Sequence, residues 1–283
     1  MKLLLDGGLG TYLKNAYDTD LWSAEVLIND PTLLRKAHLA YAESGADILT
    51  TCTYQLTMRI YDHGYSKKDL KIFFQRAIDL ATVSNRQTAF SIGPYAAYLG
   101  DESEYTGIYK ASFNDLILYH KKTIELIKDL PNFNVDFIAF ETIPNFSEFK
   151  AVFSLLNELP PVKTWISMTC VIKQDIPQLR DGTPLRIIKE WLKDNLKDSK
   201  GPDYIGINCV DPDDLLQCLK CFSGFKLVAY PNSGELYKNK RWTGEKTLLN
   251  ESLIKDILKH VDIFGGCCRV HPEDILKIGN LMK

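Results

Sequence analysis

Eight times along the chain a short apolar run gives way to a segment with helical spacing, and a 283-residue sequence built this way has few folds open to it. The runs are 3–5, 46–53, 89–94, 137–142, 164–170, 204–209, 226–230 and 261–265. Each is nearly continuous in apolar character, as expected of parallel strands covered on both faces. The amphipathic segments are 31–44, 68–85, 112–129, 147–156, 184–196, 212–219, 248–260 and 272–281. Eight strand-then-helix units predict an α/β chain whose sheet closes into a (β/α)8 TIM barrel. No Pro/Gly/Ser linker interrupts the pattern, so residues 1–283 are expected to form one domain. The longer loops, 93–111 and 231–247, both follow strands. They are therefore expected on the face where barrel active sites are built.

The residues that break the apolar pattern share an address. Asp6, Thr51, Glu141, Cys209, Asn232 and the pair Cys267-Cys268 all fall at or just past the C-terminal ends of strands. In a barrel such positions converge on one cavity. The stretch Gly265-Gly266-Cys267-Cys268 offers two adjacent thiols beside glycines that let the backbone turn. A third thiol at the end of another strand, Cys209, would complete a set of three. Three thiolates without a fourth protein ligand match a zinc site with an open position, which catalysis needs and a structural site lacks.

Other readings of these cysteines exist. Each could be a small core side chain, and Cys267 and Cys268 could form a vicinal disulfide. Cys218-Leu219-Lys220-Cys221 has redox or metal-site spacing, but it ends a short helix and has no second pair. It is read as structural or incidental. Cys52 and Cys170 lie near strand ends, and Cys52 is expected within the second strand, facing away from Thr51.

The formal charge of -2 leaves no basic stripe for nucleic acid. Three leucines before Asp6 are too few for a signal peptide or membrane span. Seven cysteines in a long chain do not read as a secreted disulfide framework. The expected compartment is the cytoplasm, and the expected partners are small molecules. Oligomeric state is not legible.

Seven segments carry a resemblance: Asp6-Gly7-Gly8-Leu9-Gly10-Thr11, Leu21-Trp22-Ser23-Ala24, Thr50-Thr51-Cys52-Thr53-Tyr54-Gln55, Phe140-Glu141-Thr142-Ile143-Pro144, Gly206-Ile207-Asn208-Cys209, Tyr230-Pro231-Asn232-Ser233-Gly234-Glu235 and Gly265-Gly266-Cys267-Cys268-Arg269. In this order they resemble the homocysteine S-methyltransferase family. The resemblance implies a zinc-dependent barrel that methylates homocysteine to methionine, with Cys209, Cys267 and Cys268 as the metal ligands. The segment 21–24 and the loop 230–235 are similar to the branch that uses the sulfonium donors S-methylmethionine or S-adenosylmethionine. Asp6 and Glu141 suit the substrate ammonium, while Thr51 and the Gly7-Gly8 backbone suit its carboxylate.

Trp22, Tyr54 and Asn232 are candidates for the donor pocket, since an aromatic face attracts a sulfonium. No protein general base is required. Val270-His271 departs from the small hydroxyl residues expected after the cysteine pair, and His271 as a fourth ligand would close the site to the substrate thiol. Arg269 is expected to be structural, with Glu141 a conceivable ion-pair partner. The same scaffold could instead methylate selenocysteine or use betaine. A methylated folate donor would need a further domain, and a non-catalytic metal or redox protein would have no use for an amino acid pocket.

Overall fold

The structure, a computed structural model, describes residues 2–14, 21–82, 85–238 and 241–283. The strands, in chain order, are β1 (Leu3–Leu4), β2 (Ile48–Thr50), β3 (Gln87–Ile92), β4 (Phe137–Ile143), β5 (Lys163–Met168), β6 (Cys170–Lys173) and β7 (Ile176–Leu179). They continue with β8 (Tyr204–Asn208), β9 (Leu227–Tyr230), β10 (Leu236–Lys238), β11 (Arg241–Thr243) and β12 (Ile263–Phe264). The helices are α1 (Leu9–Tyr12), α2 (Ser23–Asn29), α3 (Pro31–Glu43), α4 (Lys67–Ala81), α5 (Tyr95–Leu99) and α6 (Phe113–Lys128). After them come α7 (Phe146–Ser154), α8 (Leu185–Asn195), α9 (Pro212–Cys221), α10 (Glu251–Leu258) and α11 (Pro272–Met282).

Eight strands form one parallel sheet in the order β1-β12-β9-β8-β5-β4-β3-β2. The two ends meet, because Leu5 bridges Ile48, Asp6 N–H donates to Ile48 O at 3.0 Å and Asp47 N–H to Leu4 O at 2.7 Å. The sheet is thus the expected TIM barrel. Its register is pinned at the end where the strands begin by a recurring aspartate. Asp47, Asp136, Asp203 and Asp262 each accept a backbone N–H from the adjacent strand, at 2.8 to 2.9 Å. A charged acceptor makes each such bond worth about 1.5–3 kcal/mol, enough to resist a one-residue slip.

Period-two alternation then sorts the side chains. On β4, Phe137 and Ala139 belong to the cluster inside the barrel, and Ile138 and Phe140 to the larger one between strands and helices. The same holds for Trp165 against Ile166 on β5 and for Val228 and Tyr230 against Leu227 and Ala229 on β9. Leu5, Ile48, Phe137, Trp165, Val228 and Ile263 fill the lower barrel. One step further along, the inward positions turn polar: Thr50, Ser91, Glu141, Ser167 and Asn208. That layer is the floor of the site.

The helices begin where their caps allow. Asp30 accepts Leu33 N–H ahead of Pro31 in α3, and Ser66/Asp69 and Ser112/Asp115 make capping boxes for α4 and α6. The expected helix over 68–85 runs past the described residues at 83–84. Two elements carry no period-two or long helical pattern and were not anticipated, the hairpins β6–β7 and β10–β11. The expectation for Cys52 needs correcting. β2 stops at Thr50, so Cys52 sits in the following turn, 2% exposed in the outer core.

Candidate metal centre and substrate pocket

The three thiols named from the sequence meet. One sulfur each from Cys209, Cys267 and Cys268 lies within 4.8 Å of the others, and Cys209 Sγ is 3.9 Å from Cys268 Sγ. Zinc–thiolate bonds of about 2.3 Å in a tetrahedron put sulfurs about 3.8 Å apart, so the spacing suits that ion and the soft donor set suits it too. Among the described residues, no His, Asp or Glu joins this group. His271 stands instead at the N-terminus of α11, its N–H on Asp274 Oδ2 at 3.0 Å and its ring edge-on to Tyr12.

Backbone strain aims the thiols. By alternation Cys209 would follow Ile205 and Ile207 outward into the helical layer. A left-handed backbone at Cys209, φ 53°, breaks that alternation at the end of β8, and Arg269 repeats the conformation after the cysteine pair at φ 66°. Non-glycine residues there cost about 1 kcal/mol or more, which surrounding contacts must offset. Asn208, fully buried, supplies some of them: its Oδ1 accepts from Thr142 N–H and Ser167 O–H and its Nδ2 donates to Thr142 Oγ1, all at 2.8 Å.

Residues 231–235 supply the rest. Cys267 N–H donates to Pro231 O at 2.7 Å, Cys268 N–H to Asn232 Oδ1 at 3.2 Å, and Ser233 N–H to Cys268 O at 3.0 Å. Arg269 forks onto Glu235 at 3.0 and 3.2 Å, so its ion-pair partner is Glu235 and not Glu141. The other wall is the glycine turn after β1. A Cβ on Gly8 would lie 2.3 Å from Cys267 O, which is why a side chain is excluded there.

Two buried carboxyls share the floor. Asp6, 1% exposed, accepts Thr50 N–H at 2.7 Å and the Thr50 hydroxyl. Glu141, 8% exposed, accepts the Ser91 hydroxyl and lies beside the Tyr230 phenol, which in turn accepts Trp165 Nε1 at 3.1 Å. Burial is the main reason both are pushed up to about 7, and each still retains hydrogen bonds that favour its ionised form. A cation entering between them would find two acceptors that, among the described residues, form no ion pair.

The carboxylate-binding expectation meets competition. Thr51 Oγ1 accepts Ser91 N–H at 3.0 Å and pairs with Thr53 Oγ1 at 2.7 Å, and Gly8 N–H donates to Val270 O at 2.9 Å. The hydroxyl in contact with a pocket carboxylate is Thr50, one residue earlier, where counting inward from Ile48 by twos would have found it. Trp22 is 40% exposed at the start of α2, against Gly10, and Tyr54 is half-buried. Sequence reasoning also passed over Glu104, in the loop after β3. Its Oε2 is buried without a hydrogen-bond partner.

Comparison with known proteins gives concordant results. The family model for homocysteine S-methyltransferase matches residues 3–282. The chain is 35% identical to the homocysteine S-methyltransferase of Escherichia coli, over 96% of this chain and 93% of that protein. It is 30% identical to the selenocysteine Se-methyltransferase of Brassica oleracea, over 97% of this chain and 87% of that one. The crystal structure of the Escherichia coli homocysteine methyltransferase MmuM in its metallated form superposes with a TM-score of 0.81 at 31% identity, covering 99% of this chain and 96% of that one.

Proposed function

The chain belongs to the homocysteine S-methyltransferase family, and from that premise we propose that it transfers methyl from a sulfonium donor to homocysteine held at a zinc ion by Cys209, Cys267 and Cys268. The donor is S-methylmethionine or S-adenosylmethionine. The observation that carries this reading is the trio of sulfurs within 4.8 Å, with no described His, Asp or Glu joining them as a fourth ligand. Bound zinc supplies acidity, keeping as thiolate a substrate thiol whose free pKa is about 8.5.

The chain's own residues do the remainder. Asp6 and Glu141 receive the substrate ammonium, each ionising as the cation arrives. Gly7 and Thr51 line the end of the pocket nearer the substrate carboxylate. Trp22 and Tyr54 wall the donor, and Asn232 serves it indirectly by fixing the Cys268 backbone. The homocysteine thiol proton passes to solvent water first. The sulfur lone pair then forms the bond to the methyl carbon as the carbon–sulfonium bond breaks, and that electron pair stays on the departing sulfur as a neutral thioether. Opposite charges are lost together on the way, so a cavity poor in water favours the transition state.

Residues 1–283 act as one barrel domain on small molecules. Thiols must stay reduced for this chemistry, so the compartment assigned is the cytoplasm. No described helix is long and apolar enough to cross a membrane. A second reading, selenocysteine as acceptor, is favoured by the likeness to a selenocysteine Se-methyltransferase.

The test is methionine formation by zinc-loaded and chelated protein, with each donor offered separately and selenocysteine in a parallel arm. Turnover that chelation abolishes and zinc restores is expected. No methionine from either sulfonium, with zinc bound and the fold intact, would sink the donor assignment.

A further inference from the structure

The loop between β3 and α6 carries a carboxylate for which the chemistry above has no use. Glu104 lies in the short turn Ser103–Tyr105, preceded by a left-handed Glu102 at φ 62°. Its Oε2 is buried and makes no hydrogen bond. Burial leads the causes that push this carboxyl up to about 7, and the Cys209 sulfur contributes by its charge. In return Glu104 acts on Cys268 and on the phenols of Tyr54 and Tyr105. Glu104 therefore lies on the loop after β3, on the barrel face that holds the thiols and within electrostatic reach of Cys209, Cys268, Tyr54 and Tyr105. It is not part of the metal group itself, which among the described residues holds the three sulfurs alone.

The loop is held, so this placement is no accident of a free surface. Fully buried Glu148 at the start of α7 clamps both ends of it. Glu148 Oε1 accepts Tyr95 N–H at 2.6 Å, Oε2 accepts the Tyr109 hydroxyl, and His120 Nε2 lies 2.7 Å from Oε1. In the middle, Gly107 at φ 69° packs so closely that a Cβ would lie 2.4 Å from Asp181 N. Asn145 Nδ2 reaches Gly107 O at 3.4 Å.

A buried carboxylate oxygen without a partner is costly unless a cation completes it. The amine-binding carboxyls, Asp6 and Glu141, are on the barrel floor, whereas Glu104 is on the loop after β3. In the sulfonium reading, the cation that comes to the sulfurs is the onium centre of the methyl donor. It carries positive charge and polarised C–H groups, and aromatic faces suit it. We propose that Glu104 is the counter-charge of the donor's onium centre and selects cationic methyl donors over neutral ones. This inference rests on the sulfonium reading of the site. Because the onium charge disappears in the transition state, Glu104 favours the bound donor more than the reaction itself. Its loss should show in donor KM rather than in kcat.

The experiment compares wild type with Glu104→Gln and Glu104→Asp, all zinc-loaded, by two readouts. Calorimetry measures binding of two unreactive amino acids of equal shape, one ending in trimethylammonium and the other in uncharged tert-butyl. Kinetics measures donor and homocysteine constants separately. Wild type should prefer the charged probe, E104Q should lose most of that preference, roughly 10-fold or more, and E104D should keep part of it. Donor KM should rise by a similar factor in E104Q while kcat changes less than about 3-fold and homocysteine KM holds. Equal losses for both probes, no preference in wild type, or loss of zinc or fold in both variants would each overturn the assignment. A wild type that makes no methionine yet binds the charged probe through Glu104 would sink the reaction and leave the onium site standing.

Discussion

The chain holds two trios of cysteines, and only one is built as a centre. Cys170, Cys218 and Cys221 neighbour one another where β6 meets α9. Cys170 and Cys218 are fully enclosed, burial pushes the Cys170 thiol up, and Cys221 donates to Gln217 O at 3.6 Å within its own helix. Among the described residues, none of them joins a metal group, and their backbone is ordinary. Around Cys209, Cys267 and Cys268, by contrast, the backbone is left-handed at two places and residues 231–235 bond both peptide units of the pair. The neighbouring thiols of Cys209 and Cys267 hold the Cys268 thiol well below the usual thiol range. The difference teaches that proximity of sulfurs is cheap and that convergence with an open side is not. The latter needs strained backbone and partners that offset the strain.

The largest effect expected from this contrast is on metal content. Cys268→Ser should lose zinc and at least about 100-fold in activity, while Cys221→Ser retains both, measured by metal analysis and methionine formation. Loss of metal from C221S would mean that the second trio is the centre. A middle-sized effect is expected one layer out. Asn232→Ala frees the Cys268 N–H and should weaken zinc about 10–100-fold, read by chelator competition, with the fold unchanged. An unchanged affinity would show that the other bonds of that loop suffice.

The smallest effect concerns pH. Asp6 and Glu141 sit beside the first trio with folded pKa values of about 7, against 3.8 and 4.5 for the free groups. The native metal-free protein therefore keeps protons that the unfolded chain releases. Their contribution is full below about pH 4 and is lost as pH rises through about 7. Denaturant unfolding of the chelated protein should show stability falling across that window, with a shallower slope in Glu141→Gln. An equal slope in the variant would relocate the titration.

Much of this was legible beforehand because β/α repetition is local. A buried parallel strand needs an apolar run and its helix an amphipathic one, so all eight barrel strands could be found by eye. The three converging thiols were legible because each stands at or just past the end of such a run. Glu104 gave no signal, for it lies in a polar loop, Asp101-Glu102-Ser103-Glu104, where several carboxylates look alike. The contact of the Thr50 hydroxyl with Asp6 gave no signal, because the apolar run blurs where β2 stops. Asn232 is visible in the sequence as a residue past a strand end, but its bond to the Cys268 N–H is not. A sequence marks which residues stand at strand ends and not which of them face one another.

By itself the sequence determined the barrel, the cavity's address and the identity of its sulfurs, since these follow from periodicity and from the chemistry of cysteine. Tertiary structure alone decided which way each group points. The turn of Cys209 inward, the grip of residues 231–235 on Cys268 and the unpartnered oxygen of Glu104 all depend on contacts between segments far apart in the chain. Those contacts offset backbone strain and desolvation through distances that no local pattern encodes.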